Sequence, residues 1–97
     1  MTFYKGVPGY TVSTKVERSK ETEAPIVDVE WSDKVAANSV LRRAFCDPVF
    51  IDGRLDVTLR NPALLKKGTY KLVYAIRCNN QMADAEGTNF TITVTVK

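Results

Sequence analysis

The run LKKGTYKLVYAIRC, from Leu65 to Cys78, constrains this chain more than any other stretch. Tyr70, Leu72, Tyr74, Ile76 and Cys78 fall on one side, and Lys71, Val73, Ala75 and Arg77 on the other. A period of two sends successive side chains to opposite faces of a sheet, so the run predicts a strand with one inward face. Gly68 punctuates the chain just ahead of it, and Tyr70 is its first large inward residue.

The same alternation recurs along the chain. Tyr10, Val12, Thr14 and Val16 oppose Thr11, Ser13, Lys15 and Glu17, which describes a strand with one wet face. Thr2 to Lys5 reads as a short edge segment, and Val7-Pro8-Gly9 as a turn. Arg18 to Ala24 is charged and aperiodic, a solvated loop ended by Pro25. Val27, Val29 and Trp31 then alternate with Asp28 and Glu30 in a further strand. Asp52-Gly53 links two apolar runs, Val49 to Ile51 and Arg54 to Arg60. Such a pair is the signature of a type I′ hairpin, whose two central residues need positive φ. Leu55, Val57 and Leu59 face inward there. Asn61 to Lys67 is a connector able to hold one helical turn that buries Leu64 or Leu65. In the last strand Phe90, Ile92, Val94 and Val96 face inward, and Thr91, Thr93 and Thr95 outward.

Asp33 to Phe45 admits two readings. Ala37, Val40, Leu41, Ala44 and Phe45 form a helical stripe that Ser32 could cap. Against a helix, Asn38-Ser39 would sit inside it and compete for its backbone bonds. Leu41, Arg43 and Phe45 alternate equally well in a strand from Ser39 to Cys46. The strand is the favoured reading, because the neighbouring segments are strands.

About seven short strands with one apolar face each must cover those faces, and two stacked sheets do so. The fold expected is therefore an all-β sandwich, with one helix at 33–45 as the alternative. Ninety-seven residues suit a single domain spanning 1–97. With 44% hydrophobic and 26% charged residues, neither disorder nor a fibrous repeat is indicated. No apolar run reaches the roughly 20 residues that span a bilayer, so no membrane insertion is expected. The opening MTFYKGVPGY lacks the apolar core of a secretory signal, which fits a cytoplasmic protein or a module of a longer chain.

The missing chemistry is as informative. There is no histidine, hence no usual general base near neutral pH and none of the commonest zinc ligand. Cys46 and Cys78 are far apart, with no CxxC pair, and no phosphate-cradling glycine loop, HExxH or GxSxG occurs. The chain is accordingly expected not to be an enzyme, and to hold no cofactor or metal. A net charge of +3, spread along the chain, gives no argument for nucleic acid.

At LKKGTYKL the sequence resembles the tyrosine corner of immunoglobulin-like and fibronectin-like sandwiches. There a tyrosine opening the penultimate strand bonds back to the preceding connection. GTYKLVYAIRCNN with the closing TITVTVK, and EAPIVDV earlier, are similar to bacterial immunoglobulin-like and cadherin-like surface repeats. Leu72 stands where antibody domains have their inter-sheet cysteine, and Trp31 falls on the second of the main strands rather than the third. What the resemblance implies is an immunoglobulin-like antiparallel β-sandwich, with Gly68 and Tyr70 in structural roles. It also implies a monomeric, non-catalytic spacer or adhesive module, extracellular or at a bacterial cell surface, with a protein or glycan partner. The alternative role is an accessory carbohydrate-binding module.

Candidate sites follow, each with a plainer counterpart. Trp31, with Phe3 and Tyr4 nearby, could stack a sugar ring or simply cap the core. Asp28, Glu30 and Asp33 could hold calcium or form a solvated acidic face. Asn89-Phe90-Thr91 is a glycosylation sequon that matters only in a eukaryotic secretory chain. The polar loop from Asn79 to Thr88, with Asn79, Asn80, Gln81, Asp84 and Glu86, is the candidate binding loop or a plain connector. In an immunoglobulin-like arrangement Cys46 would end the third strand and Cys78 the sixth. Those ends would stand roughly 20 Å apart at about 3.3 Å per residue. A disulfide needs Cα atoms within about 7 Å, so both thiols are expected free, with Cys78 the more buried.

Overall fold

The computed structural model describes residues 1–16, 26–78 and 89–97. The elements are β1 (Thr2–Phe3), β2 (Tyr10–Lys15), β3 (Ile26–Trp31), α1 (Val40–Ala44), β4 (Val49–Ile51), β5 (Arg54–Leu59), a 3₁₀ turn (Pro62–Leu64), β6 (Gly68–Cys78) and β7 (Asn89–Val96). The strands form two sheets, one of four in the order β1-β7-β6-β3 and one of three in the order β2-β5-β4. Pairing is antiparallel throughout except between β1 and β7, where Thr2 lies opposite Thr95 and Phe3 opposite Val96 in parallel.

The organising run is the long central strand the alternation implies. β6 pairs with β7 from Gly68 to Ala75 and with β3 from Tyr74 to Cys78. Leu72 and Tyr74 are fully buried, as are Val94 and Val96 across the ladder. Leu55, Val57 and Leu59 of β5 supply the facing layer. Phe3 joins the two layers, meeting Phe45 edge-on with ring centroids 5.6 Å apart and Tyr10 at 6.1 Å. Asp52 (φ 54°) and Gly53 (φ 76°) both have the positive φ of a type I′ turn. Leu65, not the exposed Leu64, is the buried leucine of the connector, together with Pro62.

Two expectations about elements do not hold. Ser39 to Cys46 is not a strand: Val40–Ala44 is a short α-helix. It is also far shorter than the alternative helix over 33–45, and its N-cap is Ser39 rather than Ser32. The Ser39 hydroxyl accepts the Arg42 N–H at 3.3 Å, so the residue that argued against a helix interior is in fact its first cap. Phe45 leaves the helix extended and forms a single bridge to Leu59, which draws it into the core. The strand count survives only because Thr2–Phe3 takes the place of the lost one.

The second correction concerns Val27. The register steps from Ile26↔Cys78 to Asp28↔Arg77, so Val27 is an extra residue on β3. A bulge of this kind breaks the inward–outward alternation, and Val27 is 54% exposed instead of inward.

Candidate functional site

The richest arrangement of polar and aromatic groups surrounds Trp31, at the end of β3. Among the described residues β3 is the edge strand of its sheet, bonded on one side only, to β6. Its ladder runs one residue past Trp31, where the Ser32 N–H donates to the Val73 carbonyl at 3.0 Å. The chain then turns sharply. The buried Ser32 accepts the Lys34 N–H on its hydroxyl at 3.1 Å and the Val35 N–H on its carbonyl at 3.0 Å. This turn, not a helix, is what Ser32 initiates.

The fold-back brings α1 over the indole. Arg42 donates from Nη1 to the Val35 carbonyl at 3.0 Å, which fixes its guanidinium 5.9 Å from the Trp31 ring centroid. Tyr74 of β6 stacks on the indole at 5.0 Å with the planes 21° apart. Asp47, just before β4, accepts from Trp31 Nε1 at 3.1 Å. Trp31 is 8% exposed, so it offers no open face to a sugar ring. The core-capping reading is the one its burial supports.

Outside this corner a shallow cleft of about 290 Å³ lies along the free edge of β3, from Asp28 to Trp31, and faces Arg42, Asp47 and Pro48. Its charged groups already have partners. Asp28 and Glu30 share the Arg77 guanidinium, at 3.0 Å for Asp28 and in close contact for Glu30. Asp28 also accepts the Val29 N–H through Oδ1 at 2.9 Å, which occupies a donor on the sheet edge. Asp33 belongs to the Ser32 turn and does not join this pair. Among the described residues, no three cysteine or carboxylate side chains gather as a metal site would require.

Two further groups have displaced proton equilibria. The Ser13 hydroxyl donates to Asp56 at 2.5 Å and lowers its pKa. Burial opposes this effect, and Arg54 adds to it. Burial raises the pKa of Tyr74, because the phenolate would lose its water.

The other expected site residues divide cleanly. Tyr70 makes the corner: its hydroxyl donates to the Lys66 carbonyl at 2.6 Å and accepts the Lys66 N–H at 3.1 Å. Gly68 has φ 153°, a positive value that side chains rarely adopt. Cys46 is a free, half-buried thiol tied by its N–H to the Thr58 carbonyl, and it follows α1 instead of ending a third strand. Asn79, Asn80, Gln81, Asp84 and Glu86 lie outside the described residues, and so does the side chain of Cys78. Sequence reasoning missed Arg42 and Asp47, which reach Trp31 only because the chain folds back after Ser32. No family model, curated protein or solved structure matches the chain.

Proposed function

We propose that this chain is an immunoglobulin-like, non-catalytic spacer or structural module of a bacterial surface or secreted protein, monomeric as an isolated unit. The observation that carries the proposal is the parallel pairing of β1 with β7. Because these two strands run the same way, tension on the two ends of the chain loads them in shear, the arrangement that lets a module of a linear array resist extension.

Several features support the immunoglobulin-like reading of the sheets. The set β2-β5-β4 and the run β7-β6-β3 follow the strand order of that fold, with the first strand moved beside the last. On this alignment β3 is the third strand, counting the short β1. Trp31 then corresponds to the core tryptophan of antibody domains, with stacked Tyr74 taking the role of the absent disulfide. The Tyr70–Lys66 corner completes the set. The carbohydrate-binding alternative rested on Trp31, and its burial leaves that reading without support.

A fusion of two copies in tandem tests the spacer role by small-angle X-ray scattering. The described residues extend 42 × 24 × 17 Å. The expected maximum dimension is close to the sum of two long axes. A compact particle, with the two copies folded side by side, would refute the spacer role.

A further inference from the structure

Four stretches of the chain contain no acidic residue: 1–16, 34–46, 57–78 and 89–97. The fold gathers part of each at a single pole. There the Gly9 N–H donates to the Leu59 carbonyl at 2.7 Å, and the Lys5 N–H to the Lys97 carbonyl at 2.9 Å. Arg60 and Asn61 both donate their N–H groups to the Ala44 carbonyl at 2.9 Å, and the Lys5 ammonium reaches the Leu65 carbonyl. Lys5, Arg43, Arg60, Lys66, Lys67 and Lys97 therefore share this pole, with no ion pair to any of them among the described residues. Asp28 and Glu30 are held by Arg77 on the sheet face, and Asp52 sits in the hairpin at the opposite pole.

Apolar side chains are exposed among these cations. Tyr4, Val7, Tyr10 and Leu64 are each between 41% and 49% exposed. We propose that this pole docks on the surface of an anionic lipid bilayer, with Lys66 and Lys67 meeting the phosphate headgroups and Val7 and Leu64 entering the headgroup–acyl boundary. The observation behind this inference, one pole both basic and apolar, is independent of the spacer reading. A soluble polyanion would engage the cations but would gain nothing from Val7 and Leu64. A bilayer takes up both, because apolar tips leave water at its boundary while lysine stems keep their charge among the headgroups. Tyrosine suits the same depth, with an apolar ring and a polar tip. The contact is peripheral: among the described residues no helix is long and apolar enough to cross a membrane.

The test is co-sedimentation with vesicles of phosphatidylcholine alone or mixed with phosphatidylglycerol, at low and at raised salt. The folded chain is expected to bind the mixed vesicles, to ignore the neutral ones, and to weaken as salt rises. Lys66→Ala and Lys67→Ala should each weaken partitioning about fivefold. Val7→Ser with Leu64→Ser should weaken it as well, whereas Arg54→Ala at the other pole should leave it unchanged. Circular dichroism of each variant establishes that it is folded. Absence of binding by the folded wild type would overturn the proposal, as would binding indifferent to Lys66 and Lys67. Equal binding to duplex DNA, sensitive to the lysines but not to Val7 and Leu64, would also overturn it and indicate a nucleic-acid polyanion instead.

Discussion

Tyr70 and Tyr74 stand four residues apart on the same face of β6, and their hydroxyls have opposite fates. That of Tyr70 makes two bonds to the main chain of Lys66, at 2.6 and 3.1 Å. That of Tyr74, in a residue 1% exposed, has no hydrogen-bond partner among the described residues. Loss of the same hydroxyl should therefore have different consequences at the two positions.

Tyr70→Phe is expected to destabilise the fold by about 1 kcal/mol, a typical net value for hydrogen bonds of this kind. Urea denaturation should show a lower midpoint at unchanged slope. Lys66→Ala should have little effect, since the partner is the main chain. A Tyr70→Phe change within error would mean that the corner does not stabilise the fold.

Tyr74→Phe should be neutral or stabilising by up to about 1 kcal/mol, because it removes a buried donor that has no acceptor among the described residues. It also has a pH signature. The pKa of Tyr74 is raised in the fold above its ordinary value of 10.0. Its contribution is thus fully present below pH 10 and is lost as pH rises toward the folded value, since only the unfolded chain gives up the proton. Denaturation of wild type and variant across this window should show a steeper alkaline loss in the wild type. Identical profiles would contradict the burial of the hydroxyl.

At Gly68 the expected cost is in the backbone. Apart from Gly68 and its chain neighbours, no heavy atom of the described residues lies within 4 Å of the place a Cβ would take there, so space is not limiting, but φ is 153°. Gly68→Ala should cost about 1 kcal/mol through that dihedral alone. Gly6, whose φ is not in the positive range and which is equally open, should accept alanine without loss. Thermal denaturation of the two variants side by side makes the comparison.

The strands were legible because their period is two and is sustained: Tyr70 to Ile76 and Phe90 to Val96 need no tertiary information. Asp52-Gly53 and the Tyr70 corner were legible because their local chemistry demands particular residues. Val40–Ala44 was not, because five residues are too few to separate a period of 3.6 from one of two. What decides it is Ser39 capping the helix and Phe45 being captured by Leu59, which is a long-range event. The bulge at Val27 has no local marker. Arg42 and Asp47 look like ordinary surface charges until the turn at Ser32 carries them to Trp31. The basic pole was hidden for the same reason, since its six cations come from separate stretches and only their shared lack of acidic neighbours was visible.

Trp31 should prove structural. Trp31→Ala is expected to cost about 3–5 kcal/mol, the range for emptying a large core site. Asp47→Ala, which strips the indole N–H of its acceptor, should cost about 1–3 kcal/mol. Trp31→Phe combined with Asp47→Ala should cost less than the sum of the single changes, which equilibrium denaturation of all four proteins measures. Strict additivity would mean that the 3.1 Å bond contributes nothing.

The most direct test of the spacer account is to stretch a tandem array of this chain by its ends. The Thr95 N–H donates to the Met1 carbonyl, the Lys97 N–H to the Phe3 carbonyl and the Lys5 N–H to the Lys97 carbonyl, each at 2.9 Å. Because β1 and β7 run the same way, tension loads these bonds together in shear, and forced unfolding is governed by the barrier they help to set. The account predicts a series of equal, well-resolved force peaks, one per copy, that drop when Thr95→Pro removes the first of these donors. Extension without resolved peaks, or peaks unchanged by Thr95→Pro, would contradict it.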